Sequence, residues 1–400
     1  MAPRRLLPGP DARQGLVALV LNSSTSLVAG AVLGSLTTTF ERRPGLLVLV
    51  PAAIGLRGNV FGSLGNRVST SIHAGELQLR LRRSTVLGQN VLAASVLTLG
   101  VSLVLVFLAV GISITLGLGH TIGLADLALV SVGGGAIASL PVLAATLGLA
   151  AGAVRFGWDL DNVTAPLVST LGDVLTLPAL WLATLLLGAG LLSTGFGWLL
   201  GAAAIGALAW GVRSQLPLLR RLVRSSLPVL IFAAAVSSMA GVVLERRLVT
   251  FAALPALLIL VPAHLSSAGA LGGILSGRLS SQLLLGTAPP TVVPSRAARR
   301  DLYLVAGLSL PVFAFNGAGA AVAAHLLGQT SPGTGYLVGA SLLAGAAAMV
   351  VVVAIAYYGT IAAVRTGIDP DTYGIPIVSS TVDLVGALTL ILAITALGLV

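Results

Sequence analysis

A succession of long apolar runs, almost free of charge, constrains this chain more than any other feature. They lie at about 15–39, 45–75, 86–114, 122–154, 163–192, 195–212, 225–244, 251–286, 301–328, 334–364 and 374–399. Roughly 20 apolar residues carry a helix across a bilayer, so each run is of spanning length. Only 8 % of the residues are charged, against about 25 % in a soluble domain. The runs lack the period-two alternation of a membrane β-barrel, so helices are expected. The predicted fold is an all-α polytopic membrane protein of about eleven spans. There are no cysteines, which excludes disulfides and thiolate metal sites. The net charge of +10 does not point to nucleic acid as a partner, because the arginines fall between spans, as the positive-inside rule requires. Arg4, Arg5 and Arg13 precede the first run with no small-residue cleavage site after it, which predicts a retained first span.

The second constraint is an internal repeat. Asp159-Leu160-Asp161, Pro166, Ser169-Thr170 and Asp173 recur as Asp369-Pro370-Asp371, Pro376, Ser379-Ser380 and Asp383, a shared D-x-D-x4-P-x2-S-[ST]-x2-D pattern at an offset of 210. Pro51, Gly58, Gly62, Leu64, Arg67 and Ser69 recur as Pro262, Gly269, Gly273, Leu275, Arg278 and Ser280, and Gly30 recurs as Gly241. Apolar residues coincide by chance; prolines, arginines and aspartates recurring at an offset of 210–211 do not. The expected organisation is a short tail (1–14), a five-helix repeat (15–192), a linker helix with a basic loop (193–224) and a second five-helix repeat (225–400).

Five spans would leave the second repeat inverted; the linker span restores its orientation. With the N-terminus inside, fifteen of the arginines flanking the spans lie inside and only Arg42, Arg43, Arg246 and Arg247 lie outside. The expectation is therefore parallel repeats about a pseudo-two-fold axis along the membrane normal, with the C-terminus outside.

The fifth span of each repeat carries the candidate chemistry. At about 100° per residue, Pro166, Ser169, Thr170 and Asp173 share one face, as do Pro376, Ser379, Ser380 and Asp383. Each aspartate falls near the middle of an apolar span, where an acid marks a site by default. Carboxylates, hydroxyls and a proline-freed carbonyl are hard oxygen ligands suited to Mg²⁺, Ca²⁺ or Mn²⁺. A packing cluster is the competing reading, and the duplication argues against it. In the second span, Asn59, Ser63, Asn66 and Thr70 form a polar stripe that the other repeat does not keep, having Ala270, Ile274, Gly277 and Ser281. The G-x-x-x-G pairs Gly58/Gly62 and Gly269/Gly273 predict close helix packing. Arg67 and Arg278, late in the second spans, are expected either to snorkel to the interface or to form a structural pair with an acid at the fifth-span entrance. Asp159, Asp161, Asp369 and Asp371 either concentrate cations at the inner mouth or complement a helix dipole. No nucleotide-binding or hydrolase motif is present, so the chain reads as a non-enzyme.

These residues resemble the membrane domain of the MgtE-type divalent cation transporters and their eukaryotic solute-carrier relatives. The likeness rests on Pro51, Gly58-Asn59 and Arg67-Val68-Ser69-Thr70, and on the two D-x-D…P…S-[ST]-x2-D spans; it weakens at Gly269-Ala270. It implies paired five-helix units, here fused into one pseudo-dimer, with a pore lined by second and fifth spans. It further implies that Asp173 and Asp383 bind the partly hydrated ion; beside them, Ser169, Thr170, Ser379, Ser380, Asn59 and Asn66 are the expected further oxygen donors of the metal site. The cargo implied is a divalent cation, Mg²⁺ before others, with no resident cofactor. Coupling to Na⁺ or H⁺, and a non-transporting scaffold or receptor, are the alternatives. About fourteen residues precede the first span, so gating is expected from the membrane part or from a partner rather than from cytosolic sensor domains.

Overall fold

The structure is a computed structural model and describes residues 10–43, 45–73, 80–115, 117, 123–156, 160–188, 190–284, 289–366 and 375–398; within its helices, the side chains of Asp161, Ser169 and Asn66 are among those left undescribed. Among the described residues it is helical throughout. The first half contains α1 (Pro10–Ser35), α2 (Thr37–Arg42), α3 (Leu46–His73), α4 (Val86–Thr115), α5 (Leu124–Ala128), a π turn (Leu129–Gly133), α6 (Gly134–Phe156) and α7 (Leu160–Leu185). Then come α8 (Leu191–Arg213), α9 (Pro217–Glu245), α10 (Leu248–Ala253), α11 (Ala256–Leu284), α12 (Arg296–Leu326), α13 (Thr334–Thr366) and α14 (Ile375–Ala396). Ten of the described helical stretches are long and apolar enough to cross a membrane, and α7 contributes a shorter apolar stretch, Thr170–Leu185. The expected eleven spans are thus all helical.

The repeat in sequence is a repeat in structure. α1–α2 corresponds to α9–α10, α3 to α11, α4 to α12, α5–α6 to α13, and α7 to α14. Six crossings separate the start of α1 from that of α9, so the repeats run parallel. The short helices α2 and α10 touch each other at one end, where the pseudo-two-fold axis passes.

The first helices are exchanged between repeats. α1 packs on α11 and α12 of the second repeat, and α9 packs on α3 and α4 of the first. Each also lies against the fifth span of its own repeat, α7 or α14. The crossings are made at bare backbone. A Cβ on Gly30 would lie 2.0 Å from the Ile259 carbonyl oxygen, and one on Gly241 would lie 2.4 Å from that of Val48. Gly30 and Gly241 are equivalent, and so are Ile259 and Val48.

The two second spans form the centre. In the most apolar 18-residue stretch of both Leu46–Gly65 and Ala256–Ser280, 72 % of the residues are buried, more than in that of any other described span. Buried leucines, valines and alanines from α1, α3, α4, α9 and α11 make one continuous core. The outer faces are apolar as well, for example Leu192 (80 % exposed), Val350 (74 %) and Leu392 (66 %), as a lipid-facing surface requires. α8 has no counterpart. It packs on α4, α5 and the π turn of the first repeat, with Gly197 against the Ala125 carbonyl.

Candidate functional site

Each fifth-span aspartate lies between its own first helix and the second span of the opposite repeat, Asp173 buried and Asp383 half-buried. Asp173 Oδ2 accepts from Ser266 of α11 at 2.7 Å and from Ser26 of α1 at 3.4 Å. Asp383 Oδ2 accepts from Ser237 of α9 at 2.7 Å. It also lies 3.3 Å from where Gly55 of α3 would carry a Cβ. Ser26 and Ser237 are repeat equivalents, as are Ser266 and Gly55. The two half-sites therefore have one architecture, with a hydroxyl on one side and bare backbone on the other at the second-span position.

A carboxamide accompanies each carboxylate, from a different helix in each half. Asn22 of α1 sits beside Asp173, and its Oδ1 accepts from Thr170 at 3.2 Å and from Ser266 at 3.1 Å. Asn59 of α3 lines a narrow crevice between α3 and α9 together with Gly55 and Ser237, on the Asp383 side. Ala233 replaces Asn22 in the second repeat, so Ser380 has no amide to meet and donates to its own helix at Ile377 O, 3.1 Å. Ser379 is half-buried beside it. Thr170 thus joins its half-site, whereas Ser380 is turned into the helix.

Of the other expected site residues, Asp159, Asp369 and Asp371 lie outside the described residues, as do the side chains of Asp161, Ser169 and Asn66. Among the described residues no three of histidine, cysteine, aspartate and glutamate gather as a metal cage. The oxygen donors are two carboxylates surrounded by amides and hydroxyls. Such a sparse set suits a cation that keeps much of its water, as Mg²⁺ does.

Below these half-sites the second spans present open faces. A Cβ on Gly62, Gly269, Gly273 or Gly277 meets no described atom within 4 Å, and Gly273 and Gly277 are exposed. On α11, Ser266, Gly269, Gly273 and Gly277 lie within about 80° of one another; Gly55, Asn59 and Gly62 make the matching stripe on α3. The expectation that Gly62, Gly269 and Gly273 serve close packing is therefore corrected: the close crossings use Gly30 and Gly241. These open positions lie on the two spans with the largest buried share among the described spans.

Arg67 and Arg278 each meet the third span of their own repeat. Arg67 Nε donates to Asn90 of α4 at 2.8 Å, and the equivalent Arg278 Nε forms an ion pair with Asp301 of α12 at 2.7 Å. These described partners come from the third span; the acids expected at the fifth-span entrance, Asp159, Asp369 and Asp371 and the side chain of Asp161, lie outside the described residues.

Several residues escaped the sequence reading. Ser26, Ser237, Asn22 and Ser266 lie in apolar helices; Ser26 and Ser237 meet the aspartate of their own repeat, and only the packing of α1 on α11 brings Ser266 to Asn22 and Asp173. The recurrence of Ser26 as Ser237 at the offset of Gly30 and Gly241 was the available signal. Arg57 of α3 is fully buried and donates to Ala53 O, while its Nε and one terminal nitrogen have no partner among the described residues. Gly135 and Gly172 make room for it. His264 of α11 is fully buried against Phe313, ring centroids 5.1 Å apart.

Comparison with known proteins falls on the same elements. Residues 50–183 and 261–393 each match the model of the MgtE family, described as divalent cation transporter. These two segments are α3 to α7 and α11 to α14, so the duplication appears in the match itself. Among individual proteins, solute carrier family 41 member 3 of Mus musculus is 25 % identical over 85 % of this chain. The same-named protein of Rattus norvegicus is 30 % identical over 42 % of it. Solute carrier family 41 member 2 of Homo sapiens is 30 % identical over 44 % of it. The matched regions span 73 % of the mouse protein, 37 % of the rat protein and 31 % of the human one. No solved structure matches the chain. Two matches to one family model, each running from a second span to a fifth span and each including one of the two aspartates, place this chain in the MgtE family of divalent cation transporters as an internally duplicated member.

Proposed function

We propose that this chain carries Mg²⁺ across a membrane along the open strip between α3 and α11, and that Asp173 and Asp383 are the ion's carboxylate ligands. The observation that carries this reading is the pair of equivalent half-sites: each carboxylate bridges its own first helix and the opposite second span at the head of the glycine strip. Ser26, Ser266 and Ser237 orient the carboxylates. Asn22, Asn59 and Thr170 offer oxygens to the ion's remaining water shell, with Ser169, Ser379, Ser380 and Asn66 as further donors on the same spans. A divalent cation between the carboxylates relieves their mutual repulsion and offsets the cost of keeping charge in an apolar interior. The fused chain then works as a pseudo-dimer, with its N-terminus inside a cell membrane and its C-terminus outside.

The test is ion flux by the purified protein in liposomes, comparing Mg²⁺, Mn²⁺, Co²⁺ and Ca²⁺, with and without Na⁺ or pH gradients. Flux of Mg²⁺ that is lost in a folded Asp173→Ala, Asp383→Ala double variant supports the reading. Undiminished flux in that variant sinks the proposed site, and the gradient arms separate passive conduction from exchange.

A further inference from the structure

The helix without a repeat counterpart, α8, creates a groove that the transport reading does not use. It lies between α4, α8 and α9 and has a volume of about 520 Å³. Its walls are apolar, with Leu103, Val104, Phe107, Ile205 and Leu208 among them, and one end is closed by Arg213 and Arg224. We infer that this groove seats one acyl chain of an anionic phospholipid, with the phosphate held by Arg213 and Arg224.

Three observations favour this occupant. The first is charge. Both arginines are exposed, and no carboxylate among the described residues pairs with either; Arg224 Nε alone is engaged, at Val212 O, 3.1 Å. Arg220 and Arg221 stand on the same turn, also exposed, so this end of the molecule is strongly cationic. Guanidinium groups bind phosphate through paired N–H donors and leave others free. The second is depth. From Arg213 to Ile205 the helix rises about 12 Å, close to the half-thickness of a hydrocarbon core of about 30 Å. A chain lying in the groove therefore reaches the bilayer middle as its headgroup stays at the interface. The third is level. Trp210, 43 % exposed, lies one turn before Arg213, where an indole marks the membrane–water boundary. α8 lies along the first repeat only, so the inference gives one such lipid per chain.

The experiment uses the full chain in nanodiscs of phosphatidylcholine, alone or mixed with phosphatidylglycerol of the same acyl chains. Lipid retained on the protein is read by native mass spectrometry and stability by thermal unfolding. The expected result is retention of one phosphatidylglycerol with a preference of about tenfold or more over phosphatidylcholine, and a raised unfolding temperature. The Arg213→Gln, Arg224→Gln variant should lose the preference, and Arg220→Gln, Arg221→Gln should keep it. Ala209→Trp, which fills the groove, should lose retention. Soluble glycerol phosphate should not stabilise the protein, which separates a lipid seat from a bare phosphate site. Equal retention of both lipids by the unmodified chain would overturn the inference. So would a preference surviving in the Arg213/Arg224 variant, or unaltered retention in Ala209→Trp, which would assign the effect to diffuse surface charge.

Discussion

Asp173 and Asp383 occupy equivalent positions but not identical surroundings, and the difference is testable. Asp173 is held by Ser266 and Ser26, whereas Asp383 has the hydroxyl of Ser237 and the open backbone of Gly55. Removing Ser266 leaves Asp173 its weaker contact, so Ser266→Ala should lower apparent Mg²⁺ affinity by roughly 10–100-fold, the usual cost of losing a partner that orients a metal ligand. Gly55→Ala should act on the other half-site by crowding Asp383 Oδ2. Mg²⁺-dependent thermal stabilisation measures both; unchanged stabilisation in Ser266→Ala would remove that serine from the site. Asparagine at either aspartate keeps an oxygen and loses a charge, which should weaken selection for divalent over monovalent ions in flux assays. Protons compete with a metal for carboxylate oxygens, so stabilisation by Mg²⁺ should shrink as pH falls. The two aspartates and Thr170 were legible in the sequence because the repeat printed them twice within apolar runs. Asn22 and Ser266 were not, because their meaning depends on which helix each one faces across the repeat boundary.

At the level of the helix, glycine has two opposite uses, and one substitution at each kind of position separates them. Gly30 and Gly241 let α1 and α9 cross the opposite second spans at backbone contact. Alanine at either forces the helices apart, with an expected loss of about 1–3 kcal/mol in thermal or denaturant unfolding. Gly273 faces open space. Gly273→Phe should leave unfolding nearly unchanged and block Mg²⁺ flux, because the ring projects into the strip below the aspartates. Blocked flux with intact stability at Gly273, and lost stability at Gly30, is the expected pairing; a stable, fully conducting Gly273→Phe variant would place the ion path elsewhere. Spans were legible because hydropathy and length mark them directly. The function of their glycines was not, since G-x-x-x-G spacing describes a smooth face without saying whether a helix or a void lies against it. The π turn at Leu129–Gly133 was equally hidden; it occurs where α8 packs, and the second repeat, without such a helix, continues unbroken through α13.

At the scale of the whole molecule, the exchange of first helices decides how the two halves depend on each other. Were each repeat a closed five-helix unit, a cut between them would release two folded pieces. Here α1 covers α11 and α12, and α9 covers α3 and α4. Each repeat on its own would expose its second span, which has the largest buried share among the described spans, and would part Asp173 from Ser266 and Asp383 from Gly55. The connection at Ser214–Leu216 between α8 and α9 is short and ends a cationic surface, so a protease site inserted there is accessible without breaking a helix. A chain cut at that point is expected to stay together through detergent purification, to keep its Mg²⁺-dependent stabilisation, and to conduct in liposomes. Either half expressed alone is expected to be degraded or to aggregate, and co-expression of the two should restore the complex. A cysteine pair joining α2 to α10, which meet at the pseudo-axis, would report the restored assembly by forming a covalent link between the halves. Separation of the cut chain into two stable pieces would mean that the exchanged helices contribute little, and that each repeat closes its own core.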